Sequence, residues 1–538
     1  MLLKKLKKTI LILYSMCLLN TIKLQIFSDN KMIKYANLIK THSQIYNFEK
    51  NVINQQSIYR QKKLEKLLNL KTNKKKTRIA ICCSGGGLRA TLATSGLLHA
   101  FQEIELLDCI THISTLSGST WTVIAWLFSN QRYDIFEQKL IKNLDHIDQL
   151  RKISNLNFEK FKQIKNLFKQ TYVALTKNKN FKKKINQNIS FIDLYGLLLC
   201  NLMLYDLGEK RFELKLSDLQ QNLQNKNHPF PIFTAASQLD SYKYQWLEFT
   251  PYFIGSYYLN SYVFPNEFGK TFYSGKTLDS FSELPISYLM AIFGSAFSTS
   301  LRDAIHKIGS ILNKNEIQKI IQNTENLISN LTWANKKILP AQICNFTYGM
   351  QNSPIKNCNN ISIVDGGYLC NIPLEPLLQP HRKLDIIFVL DNTSLKYIPA
   401  GFELKKACTT AQTKNLKLPI IDYEKAINEN FSIFKNENDP HCPTIVYIPL
   451  KKDINYSKSF DPQTAKFCKT TNFFYSKKQG EMLSGLTRHI ILKNKQKIYS
   501  LIKKKIEQYH FLSSNNDFLI SHKKSKASLG EKLFKSVF

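Results

Sequence analysis

The chain has 538 residues, with 75 basic against 40 acidic side chains and a formal net charge of +35. That length can bury a large core, as one big α/β domain with an embedded lid or as two domains. The charge fits compositional drift first and attraction to anionic membranes second. Nucleic acid comes last, because no recognition motif accompanies the lysines. The eleven cysteines lack framework or metal-type spacing, which excludes a disulfide scaffold and reads as mostly free thiols.

In chain order, Lys4, Lys5, Lys7 and Lys8 precede an apolar run from Thr9 to Ile22. These read as the n- and h-regions of a secretory signal, and the run is short for a membrane span of about 20 residues. No small-x-small cleavage site follows, so residues 1–28 read as a signal or an anchor, with an amphipathic helix as the other reading. Residues 29–76 read as a helical lead-in ending in Lys74-Lys75-Lys76.

Two strand–turn–helix signals follow. Arg78-Ile79-Ala80-Ile81-Cys82-Cys83 runs into Ser84-Gly85-Gly86-Gly87-Leu88-Arg89, and Cys109-Ile110-Thr111-His112-Ile113 leads to Leu116-Ser117-Gly118-Ser119-Thr120-Trp121. The second turn places Ser117 on a tight bend before a helix from Gly118, where a hydroxyl stands clear of the backbone and the helix end favours negative charge. The glycine triplet lets backbone amides approach a ligand and bind an oxyanion, an effect worth about 3–4 kcal/mol per donor in a transition state.

Residues 133–227 are lysine-rich and helical in pattern, with Phe158, Phe161, Ile164, Leu167 and Phe168 near one face. Pro231 to Ser241 reads as a core strand and Glu283 to Leu301 as a buried helix. A third strand signal, Ile361-Ser362-Ile363-Val364-Asp365-Gly366-Gly367, ends in an acid freed by glycines, which can accept a hydrogen bond from a nucleophilic serine. Leu384 to Asp391 reads as another buried strand. Between Ala411 and Lys477 only Pro443-Thr444-Ile445-Val446-Tyr447 is strongly patterned. Gln479 to Gln508 reads as helical, and 509–538 as a polar tail.

These three runs, with Trp246-Leu247-Glu248-Phe249-Thr250-Pro251-Tyr252-Phe253-Ile254-Gly255, Gly294-Ser295-Ala296-Phe297-Ser298 and Cys442-Pro443-Thr444-Ile445-Val446, resemble the cytosolic phospholipase A2 and fungal lysophospholipase (phospholipase B) catalytic-domain family. The likeness runs from about Thr77 to about Lys505. It implies a central mixed β-sheet flanked by helices, with an embedded cap at about 133–230 inside a catalytic domain of 77–508, a patatin-like acyl-hydrolase architecture. It also implies a serine–aspartate dyad without histidine: Ser117 attacks an ester and Asp365 is the general base. The amides of Gly86 and Gly87, with Gly118, hold the oxyanion. By the same resemblance Arg89 neutralises a phospholipid phosphate, and Arg382, seventeen residues after Asp365, lies beside the site.

No metal or cofactor is expected. About 75 residues precede the first strand, fewer than the family's calcium-binding, membrane-targeting β-sandwich needs, so calcium-independent recruitment is expected. The expected partner is an anionic phospholipid membrane or micelle surface. The expected location is membrane-associated or secreted, with the cytoplasm as alternative. One departure stands out: the family's glycine two residues before the nucleophile is Thr115, whose branched side chain adds crowding. Three rivals remain. One is a patatin-like lipase, which shares the dyad but not the Trp246–Gly255 run. Another is an inactive basic membrane-binding protein that keeps the fold. A Ser–His–Asp triad using His99 or His112 is the third.

Overall fold

The apolar run at the first glycine turn becomes β1 (Ile79–Cys83), and the next becomes β2 (Ile110–Leu116); every residue of both is buried. Continuous apolar runs suit parallel strands covered on both faces, and each strand here feeds a helix. Those helices are α3 (Gly87–Glu103) after β1 and α4 (Gly118–Ser129) after β2. β2 runs on past Ile113 through Ser114, Thr115 and Leu116, which stay in the sheet beside β1 or β3.

The computed structural model describes residues 40–70, 76–151, 166–167, 169–178, 191–238, 244–297, 340–394 and 398–508. The signal or anchor segment, the polar tail and Phe158, Phe161, Ile164 and Phe168 lie outside the described residues. Among the described residues, no helix is long and apolar enough to cross a membrane.

The lead-in forms α1 (His42–Gln55) and α2 (Ser57–Leu68). Beyond the second turn come α5 (Tyr133–Arg151) and α6 (Phe191–Met203). The sheet continues with β3 (Phe230–Gln238), β4 (Tyr244–Phe249), β5 (Ile254–Ser256) and β6 (Ser261–Val263). The buried helix expected over Glu283–Leu301 is shorter, α7 (Ile286–Phe293). Pro285 fixes its start, since proline suits a helix's first turn and not its interior, and Gly294 closes it. β7 (Ala341–Cys344), β8 (Asn360–Asp365), β9 (Ile386–Asp391), α8 (Phe402–Thr413), β10 (Ser432–Phe434), β11 (Thr444–Pro449) and α9 (Lys477–Lys493) complete the order.

The strands make one mixed sheet of eleven, in the order β10-β11-β9-β1-β2-β3-β4-β5-β6, with β8 also on β3 and β7 on β8. β11, β9, β1, β2 and β3 are parallel neighbours; β4, β5, β6 and β10 pair antiparallel. At the far edge, Lys40 and Tyr262 exchange backbone bonds of 2.8 and 2.9 Å, so the lead-in covers β6.

The centre of the sheet has one irregular feature that builds the site. β2 runs parallel to β3 and ends with Leu116 opposite Thr234. β8 runs antiparallel to β3 and ends with Asp365 opposite Ala235. Because β4 holds the other edge of β3 along this length, β2 and β8 must share one edge. Their carboxyl ends therefore meet head to head on consecutive residues of β3.

Candidate active site

Ser117 is the first residue past β2, with φ 52° and ψ −122°. A non-glycine residue at positive φ is strained by roughly 1–3 kcal/mol, and here the strain turns the side chain out of the strand line toward the end of β8. Its Oγ donates to Asp365 Oδ2 at 3.0 Å, across 248 residues of sequence. Both residues are buried, at 1% and 2% exposure.

The Asp365 carboxyl is held from its other side. Oδ1 accepts the Gly367 amide at 2.9 Å, and the Asp365 amide donates to Ser295 Oγ at 3.0 Å, just after α7. Burial pushes the Asp365 pKa up to about 7, against the amides of Gly367 and Ala296 and the Ser117 hydroxyl, which favour the anion. The result is a carboxyl poised to change charge near neutrality.

The glycine turn lies against this pair. Gly86 and Gly87 have φ of 146° and 59°, backbone that side chains rarely adopt. A Cβ on Gly118 would fall 1.9 Å from the Gly87 carbonyl oxygen, so the two turns touch through backbone alone. Gly87 and Gly118 each open a helix, whose first amides have no intrahelical acceptor. Cross-links fix the contact: Ser119 Oγ donates to the Ser84 carbonyl at 2.6 Å, Thr91 Oγ1 to the Gly118 carbonyl at 2.8 Å, and Asn371 Nδ2 to the Gly85 carbonyl at 3.3 Å. The crowding expected at Thr115 is met by chemistry. Its hydroxyl lies 2.9 Å from that of Thr120, on the first turn of α4, so the branched side chain ties strand to helix.

Comparison with known proteins places the chain in a family and its fold beside solved ones. A family model for the lysophospholipase catalytic domain matches residues 79–438. The chain belongs to that family. Among relatives, cytosolic phospholipase A2 zeta of Mus musculus is 25% identical over 508 residues, covering 78% of this chain and 56% of that protein. Cytosolic phospholipase A2 epsilon of Homo sapiens is 25% identical over 447 residues, covering 70% and 48%. The chain thus spans about half the length of the curated relatives it matches. Human GIVD cytosolic phospholipase A2 superposes with a TM-score of 0.66 at 18% identity, covering 85% of this chain and 67% of that one. The fold is therefore that of the cytosolic phospholipase A2 catalytic domain. The family match ends before β11 and α9, although β11 pairs with β9 inside the same sheet.

In this lysophospholipase-family chain the two arginines are enclosed. Arg89 is 2% exposed. It donates from Nη2 to the Asn392 carbonyl at 2.6 Å and from Nη1 to the Cys468 carbonyl at 3.1 Å, while its buried Nε–H has no partner among the described residues. Arg382 lies in a buried ion cluster that sequence reading did not anticipate. It donates to both oxygens of Glu49, at 2.9 and 3.0 Å, and to Glu248 Oε2 at 2.7 Å. Its guanidinium already faces two carboxylates; burial pushes the Glu49 pKa up, but the Arg382 charge, with hydrogen bonds from His112 and His381, outweighs it and holds Glu49 well below the usual carboxylate range. Glu49 sits on the polar helix α1, next to Lys50, where sequence alone suggests a solvated face.

The histidines stand elsewhere. His112 Nε2 meets Glu49 Oε1 at 3.2 Å and burial lowers its pKa to about 4; His99 pairs with Glu137. Among the described residues, Ser117 has Asp365 as its side-chain partner and no histidine within hydrogen-bond reach. The triad rival loses its base.

Proposed function

We propose that this chain is a lipid acyl hydrolase that cleaves fatty-acyl esters of glycerophospholipids and lysophospholipids through a Ser117–Asp365 dyad. Ser117 Oγ attacks the ester carbonyl and its proton passes to Asp365. The amides of Gly86, Gly87 and Gly118 receive the oxyanion, and the alcohol leaves with the proton from Asp365. Water then gives a proton to Asp365 and attacks the acyl-enzyme. Fatty acid departs and Ser117 regains its hydrogen. Each proton has a protein group to carry it.

The observation that carries this reading is the head-to-head arrival of β2 and β8 on β3, which leaves a strained serine 3.0 Å from a carboxyl with a pKa raised to about 7. Family membership supports the substrate class. The relatives' names describe cytosolic enzymes, which supports a cytoplasmic protein that meets its lipid at a surface. Arg89 in this reading braces the oxyanion turn. The phosphate-binding role expected of it requires the guanidinium to exchange two carbonyls for a headgroup. Arg382, between Glu49 and Glu248, is structural.

The test is product analysis by mass spectrometry, using defined phospholipids and lysophospholipids with the wild type and Ser117→Ala. The reading expects fatty acid with the matching deacylated lipid from the wild type and neither from the variant. No release from any lipid, or equal release by a folded Ser117→Ala, would overturn it.

A further inference from the structure

The run Gly294-Ser295-Ala296 takes no part in the proposed reaction, yet it touches Asp365 twice. The Asp365 amide donates to Ser295 Oγ at 3.0 Å, and the Ala296 amide donates to the Asp365 carboxyl. Strand end and turn therefore hold each other in both directions, with one bond at the backbone of Asp365 and one at its charge. Ser295 is fully buried, so bulk water cannot replace its hydroxyl.

The turn is itself held by helices on two sides. Tyr195, buried on α6, donates from its hydroxyl to the Gly294 carbonyl at 3.0 Å, satisfying one of the acceptors that a helix end leaves open. Trp121, four residues past Ser117 on α4, donates from Nε1 to the Met290 carbonyl of α7 at 3.0 Å. A Cβ on Gly294 would fall 2.1 Å from the Trp121 ring, and one on Gly196 2.1 Å from the Ser287 carbonyl oxygen. Glycine at both positions lets α7 close on α4 and on α6 with no side chain between them. α7 is thus fastened to the helix that follows Ser117 at one point and to Asp365 at another.

Around the carboxyl, burial opposes the anion, while the amides of Gly367 and Ala296 and the Ser117 hydroxyl favour it. The titratable groups that sense its charge are Tyr195 from α6 and Tyr368 from its own turn. Burial first and that charge second push both hydroxyls up, so they stay protonated. Among the described residues no lysine, arginine or histidine pairs with Asp365. Without a cation to hold the anion, each amide counts.

We infer that the turn after α7 positions the base, with Ser295 and Tyr195 as its positioning residues: it fixes where the Asp365 carboxyl stands against Ser117 and keeps an amide on its anion. The inference rests on the dyad reading above and deepens it.

The test measures kcat and KM against pH for 4-nitrophenyl butyrate, a small neutral ester, with the full chain as wild type, Tyr195→Phe and Ser295→Ala. Tyr195→Phe keeps the ring and its packing, so it serves where Ser295→Ala fails to fold. A turn that loses its hold takes the Ala296 amide off the anion. The midpoint of kcat/KM should then move up from near pH 7 by about half to one unit, the worth of one hydrogen bond. Above the shifted midpoint kcat should stay roughly tenfold low at unchanged KM, because the carboxyl no longer stands square to Ser117. A wild-type midpoint in the folded variants would overturn the inference, whether turnover is kept or lost, since damaged packing lowers the amount of active protein and leaves the midpoint in place. The carboxylic-acid infrared band that Asp365→Asn removes titrates the same group without turnover. Should the wild type cleave no ester, the hydrolase reading fails by itself, and the midpoint of that band in the two variants still decides for or against the turn.

Discussion

Asp365 works against its surroundings. As the proposed base it must be an anion, yet burial makes the anion unfavourable and lifts its pKa to about 7. Activity should therefore rise with pH as one group ionises, reaching half its plateau near pH 7 in kcat/KM. The stability consequence has the opposite sign. A carboxyl whose folded pKa lies above its unfolded value stabilises the fold below about pH 4, and that contribution disappears as pH rises through 7. Asp365→Asn, which imitates the neutral form, should abolish hydrolysis and raise the stability at pH 8 by up to roughly 4 kcal/mol. At pH 4 the gain should vanish. Thermal melts at the two pH values decide, and a variant equally or less stable at pH 8 would show that Asp365 is not held against its charge. Arg89 offers a second test at this scale. Removing two charge-assisted bonds from beneath the glycine turn should slow small-ester and phospholipid turnover alike, by roughly ten- to a hundredfold. A loss confined to phospholipids would return Arg89 to the phosphate.

Among the elements, β3 aligns the site. Its one edge takes β2 up to Thr234 and β8 from Ala235, so two residues far apart in sequence become neighbours without a loop having to reach. The strands and turns themselves were legible, because buried parallel strands are written as unbroken apolar runs and the turns after them as glycines. Which ends would meet was not, since that is set by register on a third strand. Only the family resemblance supplied the pairing. Glu49 was illegible for another reason: a single acid on a helix of mostly polar, Asn- and Gln-rich sequence has the pattern of a solvated face, and only the folded chain brings it to Arg382. Glu49→Ala leaves Arg382 with Glu248 as its one carboxylate, beside the Pro376 carbonyl, and unpins α1 from the core. It should cost about 3–5 kcal/mol, read as a lower denaturant midpoint. A change of only a few tenths would show that α1 is held by its apolar contacts instead.

At the scale of the whole molecule, the +35 charge and the dyad divide the work. On the proposed reading, the lysines draw the protein to an anionic surface in a salt-dependent way, and the chemistry proceeds with protein groups alone. Hydrolysis of vesicles should accordingly survive a strong calcium chelator; a large loss restored only by calcium would reveal a metal-dependent step. The site also draws on segments beyond the family match, because the Cys468 carbonyl holds Arg89 and β11 flanks β9. All of this depends on Ser117 being the group that takes the acyl chain. Intact-protein mass after reaction with a lipid-like fluorophosphonate, followed by peptide mapping, tests that claim most directly. The account predicts one adduct, on Ser117, absent in Ser117→Ala and formed far more slowly in Asp365→Asn. An adduct on another residue that persists at the same rate in Ser117→Ala, or lipid hydrolysis undiminished after Ser117 is fully labelled, would contradict it.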